Sequence, residues 1–226
     1  MPPSATSSAT CHEAMLTYEQ RSAKADPQGL LILHHGRGTD ERDLLPLADV
    51  LDPERRLHVV SPRAPLRLQG SPGFHWYIVP RVGYPDPDTF HSSYAQLAEL
   101  HDHLAETTGL GPDRTILGGF SMGAVMSYAL GLGPDRPAPA GIIPFSGFIP
   151  TVASWQPDLT RHDSTPLFIT HGRLDPVIPI EFAHTARKTL QDAGFKVAYD
   201  EYDVGHQIDP RALDQARPWI TTVLRR

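Results

Sequence analysis

The sequence is 226 residues long, 40% hydrophobic and acidic overall, with a formal net charge of −6 at pH 7. This length and apolar content suffice for one substantial core, so we expect a single domain over residues 14–226. An acidic chain without runs of Lys or Arg lacks the electrostatic signature of proteins that bind nucleic acid or anionic membranes, and we expect neither partner. No apolar segment reaches the length of a membrane span, so the sequence predicts no membrane insertion.

Residues 1–13 form a leader rich in Ser, Thr and Ala, which we expect to be flexible. The leader lacks the basic start and the apolar stretch of a secretory signal peptide, and this favours a cytoplasmic location. Cys11, the single cysteine of the chain, lies in this leader and has no second cysteine with which to form an internal disulfide. We therefore interpret Cys11 as a free thiol.

Apolar runs and helical patterns alternate along the rest of the chain. Most of the runs consist of consecutive apolar residues, which is typical of strands buried on both faces. Residues 15–20 instead have the mixed pattern of an edge strand, and residues 196–202 alternate between apolar and polar residues. Their alternation with amphipathic helices predicts an α/β fold, in which a mostly parallel sheet is covered by helices on both faces. In chain order we predict strands over residues 15–20, 29–34, 56–61, 140–145, 166–171 and 196–202, and helices over residues 43–51, 90–108, 180–193 and 210–224. Between residues 108 and 140 we predict a further strand at Ile116 and Leu117 and, after a sharp turn, a helix with an apolar face from Val125 to Leu132.

Residues 66–89 contain too many Pro and Gly for a long helix or a central strand, yet they include Phe74, Trp76 and Tyr77. Aromatic surface of this extent is not left in water. We predict that this segment folds over the edge of the sheet and forms a wall of a pocket. For any one of these aromatic residues, packing that only covers the core is an equally good interpretation.

The stretch around Ser121 carries the clearest chemical signal. Gly119, Ser121 and Gly123 form a Gly-x-Ser-x-Gly pattern between an apolar strand and a helical pattern. In a nucleophile elbow, the serine lies on a sharp turn between strand and helix, and glycines on either side avoid collisions with the neighbouring backbone. We predict that Ser121 is a nucleophile; the alternative is an ordinary surface serine in a Gly-rich turn.

Asp175 and His206 also follow predicted strands, and the carboxyl ends of parallel strands are where sites form in such sheets. A serine hydroxyl needs a base to accept its proton, and the imidazole base needs a carboxylate to fix its tautomer. We predict that His206 and Asp175 fill these roles. His171 is the main rival for the base, although a structural role beside the Asp175 turn suits it better, and Asp175 has the alternative of capping the next helix.

Two backbone N–H groups are needed for the oxyanion that develops on the substrate carbonyl. Met122 follows the nucleophile and supplies one, and we predict that Arg37, in the Gly-rich loop after the second strand, supplies the other. The glycines of this loop lack the spacing of a dinucleotide-binding motif. His101 and His103 point to different faces of a helix, so we expect neither a metal nor a cofactor.

Five short motifs stand at the ends of predicted strands or in the loops after them: His35-Gly-Arg-Gly38, Gly119-Phe-Ser-Met-Gly123, Ser146-Gly-Phe-Ile-Pro150, His171-Gly-Arg-Leu-Asp175 and Gly205-His206. Together they resemble the phospholipase/carboxylesterase family of α/β-hydrolases, which includes bacterial carboxylesterases and acyl-protein thioesterases. The resemblance extends from about residue 28 to the end of the chain. It implies an α/β-hydrolase fold without a separate lid domain, a Ser121–His206–Asp175 triad, an oxyanion hole at the Arg37 and Met122 amides, and hydrolysis of carboxylic esters or thioesters without a cofactor.

Arg37 and Met122 depart from the family pattern, which often has an aliphatic residue and a glutamine at these places. Backbone donation survives both changes, whereas the side chains at the pocket mouth differ. We expect a small-molecule ester substrate with a short acyl chain, bound by Phe74, Trp76, Tyr77, Phe148 and Ile178, and an Arg37 side chain that favours substrates with a negative or hydrogen-bonding group.

Two other functions stay open on the sequence. A protein with this fold can bind a small ligand without catalysis, although no triad member is missing here. A dienelactone-hydrolase-like enzyme opens cyclic esters, but a cysteine is expected there in place of Ser121. The sequence also leaves open the oligomeric state, including a homodimer.

Overall fold

The computed structural model describes residues 15–225, so the predicted leader with Cys11 lies outside the described residues. Nine strands and five α-helices follow one another in this range. They are β1 (Tyr18–Arg21), β2 (Gly29–His34), α1 (Leu47–Leu51), β3 (Leu57–Pro62), β4 (Leu66–Arg67), β5 (Phe74–His75), α2 (Pro87–Thr108), β6 (Thr115–Phe120), α3 (Met122–Gly131), β7 (Gly141–Phe145), β8 (Leu167–Gly172), α4 (Glu181–Asp192), β9 (Val197–Tyr202) and α5 (Pro210–Val223).

Seven of the strands form one sheet in the order β1-β3-β2-β6-β7-β8-β9. The strands are parallel except for β1, which pairs antiparallel with β3 at one edge. A mostly parallel sheet buried under helices matches the α/β-hydrolase fold that the sequence predicts.

Strand β2 shows how the sheet is buried on both faces. Leu30 and Ile32 pack into a core with residues of α2 and α3, whereas Leu31 and Leu33 pack into a core with residues of α1 and α5. Successive side chains of a strand point to opposite faces, so a run of consecutive apolar residues supplies both cores at once. A third apolar cluster joins α3 and α4 over β7 and β8.

Two helices differ from their predicted bounds by more than a single residue at either end, and proline explains both. The helix predicted over residues 43–51 is restricted to α1, because Pro46 has no N–H and disfavours helical geometry at the residue before it. Helix α2 begins at Pro87 instead of residue 90. Asp86 caps it by accepting a hydrogen bond from the Thr89 N–H at 3.0 Å, and proline is favoured in the first helical position.

The Pro- and Gly-rich segment 66–89 contains the short hairpin of β4 and β5. This hairpin is tied to the loop after β2, since the Gly38 N–H donates to the Phe74 carbonyl at 2.7 Å and the Phe74 N–H donates to the Thr39 carbonyl at 2.8 Å. The segment therefore lies at the carboxyl edge of the sheet, beside the ends of β2 and β6. Within residues 15–225, no helix combines the length and apolar character of a membrane span.

Candidate active site

Ser121 lies on a sharp turn between β6 and α3, with φ 55° and ψ −118°. A positive φ is unusual for a residue with a side chain. The turn is fixed by a hydrogen bond of 2.9 Å from the Ser121 N–H to the Phe145 carbonyl. The backbone of Gly123 approaches that of His34 so closely that a Cβ at Gly123 would overlap the His34 carbonyl. The predicted elbow is thus the geometry that the chain adopts.

Asp175, His206 and Ser121 form a hydrogen-bonded chain across the carboxyl ends of three strands. The His206 Nδ1 lies 2.6 Å from Asp175 Oδ2, and the His206 Nε2 lies 2.8 Å from Ser121 Oγ. The carboxylate oxygen accepts, so Nδ1 carries the proton and Nε2 is left to accept the hydrogen bond of the Ser121 hydroxyl. This is the tautomer that a general base at His206 requires.

Asp175 is buried, and its two oxygens have separate partners. Oδ2 accepts a hydrogen bond from the Nδ1–H of His206, while Oδ1 accepts hydrogen bonds from the N–H groups of Val177 and Ile178 at 2.8 and 2.9 Å. The carboxylate therefore both stabilises the turn and orients the imidazole. His171 donates from Nε2 to the Ile178 carbonyl at 2.8 Å, and burial lowers the pKa of His171, so this ring lies behind the Asp175 turn as a neutral donor.

Arg37 and Met122 border the same cavity as Ser121. Within residues 15–225, the backbone N–H of neither residue has a hydrogen-bond acceptor. Met122 is the first residue of α3, so its N–H also belongs to the positive end of the helix dipole. Two residues with free backbone N–H groups therefore line the cavity that Ser121 also lines.

The cavity has a volume of about 430 Å³ and a mainly apolar wall. Of the five residues predicted to contact the substrate, Tyr77, Phe148 and Ile178 line it, whereas Phe74 and Trp76 do not. Phe120, whose ring centroid lies 4.8 Å from that of His206, also borders the cavity. The remaining lining residues are Gly36, Arg37, Thr39, Asp43, Val79, Val82, Ser121, Met122, Val177 and His206.

Trp76 is fully buried beneath the cavity wall, which corrects the prediction that it forms the wall itself. Its indole N–H donates to the His35 carbonyl at 2.8 Å, and its backbone N–H lies 3.2 Å from the Met122 sulfur. The Ser93 hydroxyl donates to the Trp76 carbonyl. Trp76 therefore supports the loop that carries the Arg37 N–H, a role for which the sequence gives no signal.

A second serine–histidine contact lies behind the elbow, in the core. The His34 Nδ1 is 2.8 Å from Ser127 Oγ, and the His34 Nε2 is 3.3 Å from the His101 Nε2. Burial is the largest influence on both rings: it holds the pKa of His34 well below its usual range and lowers the pKa of His101 to about 3. Both rings are therefore neutral at physiological pH.

Comparison with known proteins gives a consistent set of relatives. The model of the phospholipase/carboxylesterase family matches residues 18–224. Acyl-protein thioesterase 1 of Debaryomyces hansenii is 30% identical over 181 residues, which are 75% of this chain and 78% of that protein. The hydrolase MhqD of Bacillus subtilis, described as putative, is 29% identical over 196 residues, which are 87% of this chain and 94% of that protein.

Solved structures of similar proteins share the fold. The crystal structure of esterase PE8 has a TM-score of 0.79 and 29% identity, and the match covers 93% of this chain and all of that one. The carboxylesterase of Bacillus cereus has a TM-score of 0.81 and 24% identity, with 93% of this chain and 95% of that chain covered.

Proposed function

Because this chain belongs to the phospholipase/carboxylesterase family and is an ester hydrolase, we propose that it is a serine carboxylesterase that cleaves short-chain esters through an acyl-enzyme. The observation that carries this proposal is the hydrogen-bonded chain of Asp175, His206 and Ser121, whose serine hydroxyl faces an apolar cavity beside two free backbone donors. The cleavage of thioesters, the class named for the Debaryomyces relative, uses the same steps and falls within the proposal.

In the first half of the reaction, Ser121 Oγ attacks the carbonyl carbon of the ester while its proton passes to the His206 Nε2. The carbonyl oxygen becomes an oxyanion that accepts hydrogen bonds from the N–H groups of Arg37 and Met122. The carbonyl then re-forms, the bond to the alcohol oxygen breaks, and His206 returns the proton to the departing alkoxide. An acyl group remains on Ser121.

In the second half, a water molecule replaces the alcohol. His206 Nε2 takes a proton from the water as its oxygen attacks the acyl carbon, and the same two amides hold the second oxyanion. Collapse of this intermediate releases the carboxylic acid and returns the proton to Ser121. Asp175 keeps its charge throughout and stabilises the imidazolium that exists in each half.

The cavity supports a preference for short acyl chains. Tyr77 and Phe148 are buried in its wall, and about 430 Å³ is the small end of the range of ligand pockets. Each methylene buried in an apolar cavity adds up to about 0.8 kcal/mol, so selectivity rises with chain length until the cavity is full and then falls. Phe148 also lines a neighbouring groove with Val152 and Trp155, so its ring separates the cavity from further apolar space.

The test is kcat/KM on p-nitrophenyl esters from acetate to laurate, together with acyl thioesters and lactones of the same chain lengths. We expect a maximum at short chains, and we expect Phe148→Ala to move that maximum to longer chains. Phe182→Ala is the matched control, because Phe182 contacts the Phe148 ring and borders the groove but not the cavity. A maximum at long chains in the wild type contradicts the short-chain proposal, and lactones as the best substrates favour the dienelactone-hydrolase-like alternative.

A further inference from the structure

A second groove adjoins the catalytic cavity along the hairpin of β4 and β5. It has a volume of about 520 Å³ and is lined on one side by Arg67, His75 and Ile78. Arg37 borders both the groove and the catalytic cavity. The Arg37 side chain therefore forms the boundary between the two, so that one molecule can occupy both.

The polar groups of the groove favour an anion. Among residues 15–225, the lining of the groove includes two arginines and a histidine but no carboxylate, although the whole chain carries a net charge of −6. Glu41, in the loop after β2, is buried, and its carboxylate accepts hydrogen bonds from the Nε and Nη2 of Arg63 at 2.5 Å. Asp86 is also engaged, because it accepts hydrogen bonds from Thr89.

Arg37 differs from most other arginines of the chain in having no partner. Within the described range, Arg37 and Arg225 are the arginines with no side-chain hydrogen bond, ion pair or aromatic ring in contact with the guanidinium. Arg37 is exposed at the mouth of the cavity, where its five donors face solvent. An arginine in this position is ready to bind a carboxylate or a phosphate through two parallel hydrogen bonds.

The hairpin places Arg67 at a fixed position relative to Arg37. The Arg67 guanidinium lies over the Phe74 ring, 5.3 Å from its centroid. Phe74 is in turn bound through its backbone to Gly38 and Thr39, in the loop that carries Arg37. His75 donates from Nδ1 to the Tyr77 carbonyl at 3.0 Å, which leaves Nε2 without a protein partner in the described structure.

From this arrangement we propose that the groove binds an anionic group, a carboxylate or a phosphate, of the ester that Ser121 cleaves. Asp43 lines the catalytic cavity and disfavours a negative charge there, whereas Arg37 and Arg67 favour it in the groove. The ester carbonyl then lies at Ser121, an apolar portion fills the cavity, and the anion lies beyond Arg37. The preferred substrate class is thus an ester or thioester with a negative charge several bonds from the carbonyl. This inference rests on the proposed esterase function.

The first test compares a neutral and an anionic ester of equal length, p-nitrophenyl valerate and the p-nitrophenyl monoester of glutaric acid. For each protein, the selectivity is kcat/KM on the anionic ester divided by kcat/KM on the neutral ester. We expect this selectivity to be about fivefold lower in Arg67→Gln than in the wild type, which is the effect of losing an exposed charge pair. Added NaCl should lower the same ratio in the wild type, because salt screens exposed charges. Arg187→Gln is the matched control: Arg187 is also exposed and also lies over an aromatic ring, that of Tyr199, but it is on α4 and outside the groove.

In a second pair of substrates, the negative charge is on the leaving-group side of the scissile bond instead of the acyl side. Butyryl-coenzyme A carries phosphates on its thiol side, and the butyryl thioester of N-acetylcysteamine lacks them. If the selectivity for coenzyme A falls in Arg67→Gln, the groove holds the leaving group; if the selectivity for the glutarate monoester falls, it holds the acyl end. If Arg67→Gln keeps the wild-type selectivity for both pairs of substrates, the proposal is overturned.

Titration calorimetry with glutarate and inorganic phosphate tests the groove independently of turnover. We expect weaker binding of the anion to Arg67→Gln than to the wild type and to Arg187→Gln. Equal binding to all three proteins overturns the anion site. A wild type that hydrolyses neither the neutral nor the anionic esters and thioesters contradicts the proposed function instead, and the calorimetric result still decides whether the groove binds anions.

Discussion

Two serine–histidine pairs lie along helix α3, one at its N-terminus and one within it, and both have a distance of 2.8 Å between the hydroxyl and an imidazole nitrogen. Ser121 precedes the helix and meets His206 at the cavity. Ser127 lies six residues further along the chain and meets His34 in the core. The two contacts have the same length but different directions of hydrogen bonding, and that difference determines their chemistry.

At the cavity, the Asp175 carboxylate accepts a hydrogen bond from the Nδ1–H of His206, so the Nε2 of the ring accepts the hydrogen bond of the Ser121 hydroxyl. In the core, the Ser127 hydroxyl lies 3.0 Å from the Gly123 carbonyl, which can only accept, so Ser127 donates there and its oxygen accepts a hydrogen bond from the Nδ1–H of His34. The other nitrogen of His34 faces His101 instead of a carboxylate. His34 is therefore a donor to Ser127 and cannot act as its base.

The comparison shows that contact between a serine and a histidine is not sufficient for a nucleophile. A carboxylate must set the tautomer of the imidazole, and a cavity must admit the substrate to the hydroxyl. The first pair has both, whereas in the second pair the ring donates to the serine and both residues are fully buried. Four experiments, in order of decreasing effect, test this difference and the support of the cavity.

Ser121→Ala removes the proposed nucleophile, and Ser127→Ala removes the other hydroxyl. We expect Ser121→Ala to lower kcat on p-nitrophenyl butyrate by about 10⁴-fold or more, since the loss of the serine alone disables a triad. Ser127→Ala should keep kcat within about threefold and instead lower the free energy of unfolding by about 1–3 kcal/mol, because the buried His34 N–H loses its acceptor. The comparison fails if the two variants have similar activity.

Asp175→Asn changes the partner of one His206 nitrogen and nothing else. The amide oxygen can still accept the N–H groups of Val177 and Ile178, so its NH₂ group must face His206 Nδ1. The proton of His206 must then lie on Nε2, the nitrogen that faces Ser121. His34 has the same arrangement in the core, where its proton lies on the nitrogen that faces Ser127. We expect kcat to fall by about 10⁴-fold with little change in the urea midpoint. Activity close to wild type would show that another group sets the tautomer.

His101→Gln tests the buried pair through pH. The folded protein keeps the pKa of His101 at about 3, below the value of about 6.5 in an unfolded chain, so its contribution to stability is complete above pH 6.5 and is lost as the pH falls toward 3. Between pH 7 and pH 5, His101 should lower the free energy of unfolding of the wild type by about 2 kcal/mol. His101→Gln should not show this decrease. Urea unfolding at both pH values measures it.

His103→Gln is the control for this measurement, because His103 lies on the same helix but is only partly buried. It should retain the acid sensitivity of the wild type. Equal acid sensitivity in His101→Gln and the wild type would mean that the His34–His101 pair does not control stability in acid.

Trp76→Phe tests the support of the oxyanion loop. It removes the indole N–H that binds the His35 carbonyl, and we expect kcat to fall by about tenfold with a smaller change in KM, a loss of about 1.4 kcal/mol. Trp155→Phe is the matched control, because the buried Trp155 indole nitrogen makes no hydrogen bond within residues 15–225. If both variants lose kcat equally, lost volume rather than the hydrogen bond is responsible.

Sequence patterns were enough to predict most of the fold and the strand ends that Ser121, Asp175 and His206 follow, because β6 and β8 are apolar runs and β9 alternates between apolar and polar residues. The carboxyl ends of parallel strands meet at one edge, so the order of the elements alone brings the three residues together. Patterns of this kind do not depend on details of packing.

The cavity wall was less predictable, since Pro and Gly in residues 66–89 remove the periodicity that tells one face from the other. The register of the hairpin, in which Arg67 pairs with Phe74, determines which aromatic side chains turn inward, and this register depends on contacts with the loop after β2. The sequence pattern therefore predicts Trp76 on the wall, although it lies behind the wall. The core contact of His34 with Ser127 also joins distant parts of the chain and leaves no local pattern.

The backbone of Ser121 has a consequence for the balance between folding and activity. Its φ and ψ fall in the region that type II′ turns reserve for glycine, and a residue with a side chain there costs on the order of 1–3 kcal/mol. Ser121→Gly should therefore be inactive yet more stable than the wild type in urea, while Ser121→Ala, which keeps a Cβ, should not gain this stability. Selection for stability alone would replace this serine, so its presence in a strained turn reflects selection for chemistry.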